Sequence, residues 1–104
     1  MNQHDTLFYL KENFNINKNV FNLAKDFLNL LILENVIPDR ISELEVDDTG
    51  IGYAFYFKKD QYYEIYFEFY TDLEFGFIVI DKNYQIVKNE DINDFKIFID
   101  FMKE

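Results

Sequence analysis

Cysteine is absent from this chain. No disulfide can therefore staple it, and no thiolate can serve as nucleophile or metal ligand. A small domain without cysteine fits a cytoplasmic setting better than a secreted one. Histidine occurs once, at His4, in what reads as a mobile terminus. Without cysteine or an internal histidine, the common nucleophile–base pairs and the zinc-ligand spacings are missing. Glycine occurs at Gly50, Gly52 and Gly76 alone, which is too sparse for a phosphate-cradling loop. Gly50 and Gly52 read as turn and strand-entry residues. Bases are also scarce: 10 against 20 acids give a formal charge of −10. A nucleic-acid binder needs a basic footprint, and so does a protein that docks on an anionic membrane. Neither partner is expected.

Long apolar runs are missing too. The longest cluster, Leu30–Leu33, is far short of the roughly 20 residues that span a bilayer. The start, Met1 to Asp5, lacks a basic region followed by an apolar one. The expectation is a cytoplasmic protein.

Hydrophobic residues make up 49% of the chain and aromatics 20%, enough to build a core and too much for a disordered chain. At 104 residues this is one domain, residues 1–104. The acids are unevenly placed. Residues 41–81 hold ten acids and two bases, Lys58 and Lys59, which leaves −8 in that segment and −2 elsewhere.

Residues 1–19 read as an N-terminal arm or short helix, with Asp5 or Thr6 as cap for Leu7–Leu10 and an asparagine-rich loop over 13–19. From Lys18 or Asn19 the spacing of Val20, Leu23, Ala24, Phe27, Leu28 and Leu31 predicts a helix. It ends between Asn35 and Pro38, because the residue before proline avoids the α region. Its stripe is wide enough to be covered on both sides.

An antiparallel meander follows. In an extended chain successive side chains alternate between faces. Strand one alternates Ser42, Leu44 and Val46 with Glu43, Glu45 and Asp47. The Asp47–Gly50 turn leads to strand two, with Ile51, Tyr53, Phe55 and Phe57 on one face. That turn lacks the spaced ligands and terminal Glu of a calcium loop, so no metal is expected. In strand three Tyr63, Ile65, Phe67 and Phe69 share the core face, and in strand four Leu73, Phe75, Phe77 and Val79 do. Strand five covers Tyr84–Lys88. Residues 91–103 fit a helix through Ile92, Phe95, Phe98, Ile99 and Met102, and fit a strand by period as well. The cap offered by Asn89-Glu90-Asp91 favours the helix. The expected fold class is α+β: an antiparallel meander of about five strands with an N-terminal and a C-terminal helix packed on one face.

The other face is the candidate site. It is expected to carry Glu43, Glu45, Tyr56, Tyr62, Glu64, Tyr66, Glu68, Tyr70 and Glu74. Glu64 and Glu68 lie about 13 Å apart at strand rise, too far for a glycosidase pair, and no catalytic residue or cofactor is expected. Tyrosine buries much area at low entropy cost, and acids around it steer a basic partner. Against this, tyrosine has high β-propensity and glutamate is an ordinary solvent-face residue; a terminal segment covering the face is a further alternative.

In size, charge and lack of catalytic groups the chain resembles, in type, bacterial toxin-immunity proteins and phage-encoded anti-defence proteins, though no motif assigns a family. The resemblance implies an inhibitor that binds a basic protein (a toxin, nuclease or defence effector) and blocks it by nucleic-acid mimicry. The alternative is a homodimeric structural or adaptor domain, joined through the apolar end of the same face at Ile78, Ile80 and Val87.

Overall fold

The computed structural model describes residues 2–48 and 50–104. The elements run α1 (Gln3–Phe14), α2 (Lys18–Leu33), β1 (Arg40–Val46), β2 (Gly50–Phe57), β3 (Glu64–Phe69), β4 (Phe75–Ile80), β5 (Ile86–Ile92) and α3 (Phe95–Lys103). The strands form one antiparallel sheet in the order β1-β2-β3-β4-β5. The fold is the α+β meander that the sequence predicts.

Each helix begins at a polar side chain that satisfies an orphan N–H. Asn2 accepts from the Asp5 N–H, Asn17 from Asn19 and Asp94 from Lys96. With glycine so scarce, asparagine supplies the left-handed residues that stop helices: Asn15 ends α1 at φ 53° and Asn35 follows α2 at φ 59°, a conformation asparagine tolerates.

The N-terminal arm is therefore a full helix, and the asparagine-rich loop shrinks to the Asn15–Asn17 connection. His4 is fixed within α1, with its Nε2 2.7 Å from Asn29 Oδ1 of α2. At the other end Asn89, Glu90 and Asp91 belong to β5 rather than to a helix cap. β5 starts at Ile86, later than expected, because Asp81–Gln85 close the preceding hairpin: the Asp81 carboxylate accepts from the Asn83 and Gln85 N–H groups. The expected Asp47–Gly50 turn includes Thr49, which lies outside the described residues. Its flanks Asp47 (φ 45°) and Gly50 (φ 126°) both sit at positive φ, and Gly50 takes its angle without a Cβ penalty.

The core lies between the helices and one sheet face. Tyr53, Phe55, Phe57, Ile65, Phe67, Phe69, Phe77 and Val79 are buried there against Leu7 and Leu10 of α1, Phe27, Leu28 and Leu31 of α2, and Phe98, Ile99 and Phe101 of α3. Phe27 is the hub. Its ring stacks on Phe67 at 4.1 Å and meets Phe55, Phe69, Phe95 and Phe98 between 4.9 and 5.9 Å. The buried Tyr53 hydroxyl donates to the Leu7 carbonyl at 2.6 Å and ties α1 to β2. Among the described residues no buried side-chain polar atom is left without a partner, as native interiors require.

Odd-numbered positions of β2, β3 and β4 face the helices, as the alternation predicts: Phe57 opposes Ile65, and Ile65 opposes Val79. Two expected members of this face are elsewhere. Tyr63 precedes β3 and is exposed. Leu73 sits in the β3–β4 hairpin at φ 71°, also exposed. Among the described residues no helix is long and apolar enough to cross a membrane.

Candidate binding face

The sheet face away from the helices is open. Among the described residues, every aromatic ring pair that joins α2 or α3 to a strand goes to an odd-numbered position of β2, β3 or β4, and Lys88 of β5 reaches the Phe101 ring from that same helix side. The even-numbered side is left with Tyr56, Glu64, Tyr66, Glu68, Ile78 and Ile80, all half-buried among themselves.

The strand registers set these residues in rows. One row runs Arg40, Tyr56, Tyr66, Ile78, Asn89 across all five strands. The Arg40 guanidinium lies 3.8 Å from the Tyr56 ring centroid, a cation–π contact. Tyr56 meets Tyr66 edge to face at 5.1 Å. The next row runs Ser42, Ala54, Glu68, Gly76, Asp91. Small residues on either side leave the Glu68 carboxylate unscreened by bulky neighbours along the row. Gly76 permits the close approach of β5: a Cβ there would collide with the Glu90 carbonyl oxygen and stand 2.9 Å from Asp91 Oδ1.

The tyrosines and acids are linked. The Tyr66 hydroxyl donates to Glu64 at 2.9 Å and the Tyr70 hydroxyl to Glu68 at 3.0 Å. Partial burial, reinforced by the hydrogen bond to Glu64, pushes the Tyr66 hydroxyl up to about 12. Burial raises Tyr70 still further, helped by the negative charges of Glu68, Asp91 and Asp72. Both phenols stay protonated donors at neutral pH, and each holds its carboxylate in one orientation.

Tyr56, Glu64, Tyr66 and Glu68 lie where the sequence places them. Tyr70 follows β3 and reaches the same face through Glu68. Glu74 is exposed in the β3–β4 hairpin, where its carbonyl accepts from the Tyr70 N–H. Glu43 and Glu45 are on the opposite side: they pair with Tyr53 and Ile51, on the helix face. Ser42 instead turns to the open face, where its Oγ meets the Tyr56 hydroxyl at 3.2 Å. β1 is an edge strand, so both of its faces are partly wet and acids fit either one. Tyr62 is also displaced. The chain is still turning before Glu64, and the Tyr62 ring tucks against Phe101 of α3 at 5.8 Å. Of the expected dimer patch, Ile78 and Ile80 share the open face. Val87 lies at an irregularity of the β4–β5 ladder, where Ile80 pairs with Ile86 and Val79 with Lys88. Ile86 rather than Val87 therefore extends the apolar end.

The sequence reading missed Arg40, Ser42 and Asp91. Asp91 carries no readable signal, because Asn89-Glu90-Asp91 fits a helix cap as well as the strand it forms. Arg40 and Ser42 depend on the β1 register. Among the described residues no cluster of acids or histidine suits a metal ion. Comparison of the chain with protein-family models, curated proteins and solved structures returns no match.

Proposed function

We propose that this is a small acidic binding protein, without catalytic function, that blocks a basic protein through the open sheet face. The working surface is Tyr56, Tyr66 and Tyr70 with Glu64, Glu68, Glu74 and Asp91, and the partner is one whose own site is built for polyanions. The observation that supports this reading most directly is the pair of tyrosine–glutamate hydrogen bonds on a face that none of the described helices covers. Carboxylates held at fixed spacing between aromatic rings present charge and buried area together, and little side-chain entropy remains to be lost on binding. Arg40 at the β1 edge gives the face a polarity that fixes the partner's orientation.

Capture from a host extract tests the idea. Wild-type protein should retain a basic partner at low salt and lose much of it near about 0.5 M salt. Tyr66→Ala and Glu68→Lys should each abolish capture, while Glu12→Lys on α1 should not. Unchanged capture by both face variants sinks the reading.

A second reading has its own observation. Ile86 is 62% exposed opposite Ile80, and Tyr63 and Tyr84 meet edge to face at 4.7 Å beside them. That apolar corner suits a homodimer of adaptor type, which oligomeric state decides.

A further inference from the structure

A cleft of about 710 Å³ opens between the β3–β4 hairpin and the β5–α3 junction. Its lining is mainly of two kinds. Leu73, Phe75, Ile92 and Ile97 are apolar, and Glu74, Glu90 and Asp91 are acidic, with the neutral Asn93 beside them; among the described residues no lysine or arginine lines it. The apolar part is preorganised. Phe75 is locked against Phe67, Phe69 and Phe95 at 4.6 to 5.8 Å. Leu73 stands at the rim, 45% exposed, in a left-handed conformation that a hairpin of this length usually gives to glycine. Of the acids, Glu90 already pairs with Lys88 at 3.3 Å. Among the described residues neither Glu74 nor Asp91 takes part in a salt bridge.

An apolar lining alone would suit a leucine, and carboxylates alone would hold solvated cations. A long aliphatic stem with a cationic head satisfies both walls. A guanidinium suits this lining better than an ammonium, because it is less strongly hydrated, binds carboxylates in a planar fork and stacks on aromatic rings. The geometry points to this cleft as the seat of an arginine side chain carried by the basic partner. This rests on the reading of the open face as a binding surface, and it names the chemistry of what binds there. Face and cleft are continuous, since the row Glu68, Gly76, Asp91 runs from the tyrosines to the cleft mouth.

The test is an amide NMR titration of the full chain with the peptide acetyl-Arg-Leu-Arg-amide, beside the same peptide with citrulline in place of arginine. The expected result is saturable shifts at residues 73–75 and 91–97, absent with the citrulline peptide. The combined variant Glu74→Gln, Asp91→Asn should weaken binding at least about fivefold. Shifts scattered over the acidic surface, equal shifts with citrulline, or unchanged affinity in the double variant would each overturn the assignment. The peptide stands in for the partner, so the two readings fail separately. Saturable binding in the cleft with partner capture indifferent to Tyr66 and Glu68 removes the proposed function and keeps the site. Intact face-dependent capture without cleft binding does the reverse.

Discussion

Phe27→Ala is expected to cost about 4 kcal/mol of stability, in the middle of the range for a buried phenylalanine. The reason lies in who surrounds the ring. It has no solvent exposure, and its ring neighbours come from β2, β3 and α3. Strands held in a ladder and a helix capped at Asp94 cannot all move inward to fill the hole. The cavity should therefore persist, and the cost of lost contacts adds to the cost of lost burial. Each aromatic pair contributes about 0.5–1.5 kcal/mol beyond its area, but pairs sharing one ring do not add. A domain of this size has about 5–15 kcal/mol in all, so the variant should remain folded with its melting temperature lowered by roughly 16–32 °C. Phe8→Ala, at a ring 55% exposed, is the control and should cost about 1 kcal/mol or less. Urea unfolding followed by far-UV circular dichroism gives both numbers, with an unchanged m-value as the check that the denatured state is the same. A loss below about 2 kcal/mol for Phe27→Ala, or equal losses at the two sites, would refute the hub assignment.

Alkaline pH offers a second measurement. Burial raises the hydroxyls of Tyr53, Tyr66 and Tyr70, so the folded chain keeps protons that the unfolded chain releases near pH 10. Their contribution is therefore intact below about pH 10 and falls as pH rises through the folded value, which for Tyr66 is about 12. Tyr53→Phe should lower stability at neutral pH through loss of the bond to Leu7, and should flatten the alkaline decline; an equally steep decline in the variant contradicts the argument. Light scattering at two concentrations tests the apolar corner. A dimer broken by Ile86→Asp supports the second functional reading, and a strict monomer ends it.

Much of the fold is legible in the sequence because burial on one side leaves a period. Phe55, Phe57, Phe67 and Phe69 alternate with polar or small residues, and one-face packing against helices demands that pattern. The α2 stripe is legible for the same reason, but its expected cover on both sides is not found: Val20, Ala24, Phe27, Leu28 and Leu31 are buried, while Ile32 and Leu33 are exposed. Where both sides of a strand are wet, the period loses its sign. In β1, Glu43 and Glu45 alternate as cleanly as any core residue, yet only the pairing of Ile41 with Phe55 reveals which way they point. The stretch 61–63 fails differently. The aromatic run begins before the ladder does, so Tyr62 and Tyr63 exchange the roles that alternation assigns them. The site inherits both errors: the tyrosines and glutamates of β2 and β3 were readable, while Arg40 and Asp91 depend on the registers of the two edge strands.

The strand order has a consequence for how the chain assembles. Each strand pairs with its neighbour in sequence, so the sheet can form by local zippering. Its core cannot. Phe27 must meet Phe95 and Phe98, contacts that close a loop of about 70 residues and cost about 1.7 kcal/mol more entropy than closing one of about 10. Sheet formation is thus expected to run ahead, and the docking of α3 onto α2 to come late. Until that contact is made, the part of the aromatic face that α3 covers, at Phe75 and Phe77, stands open to water.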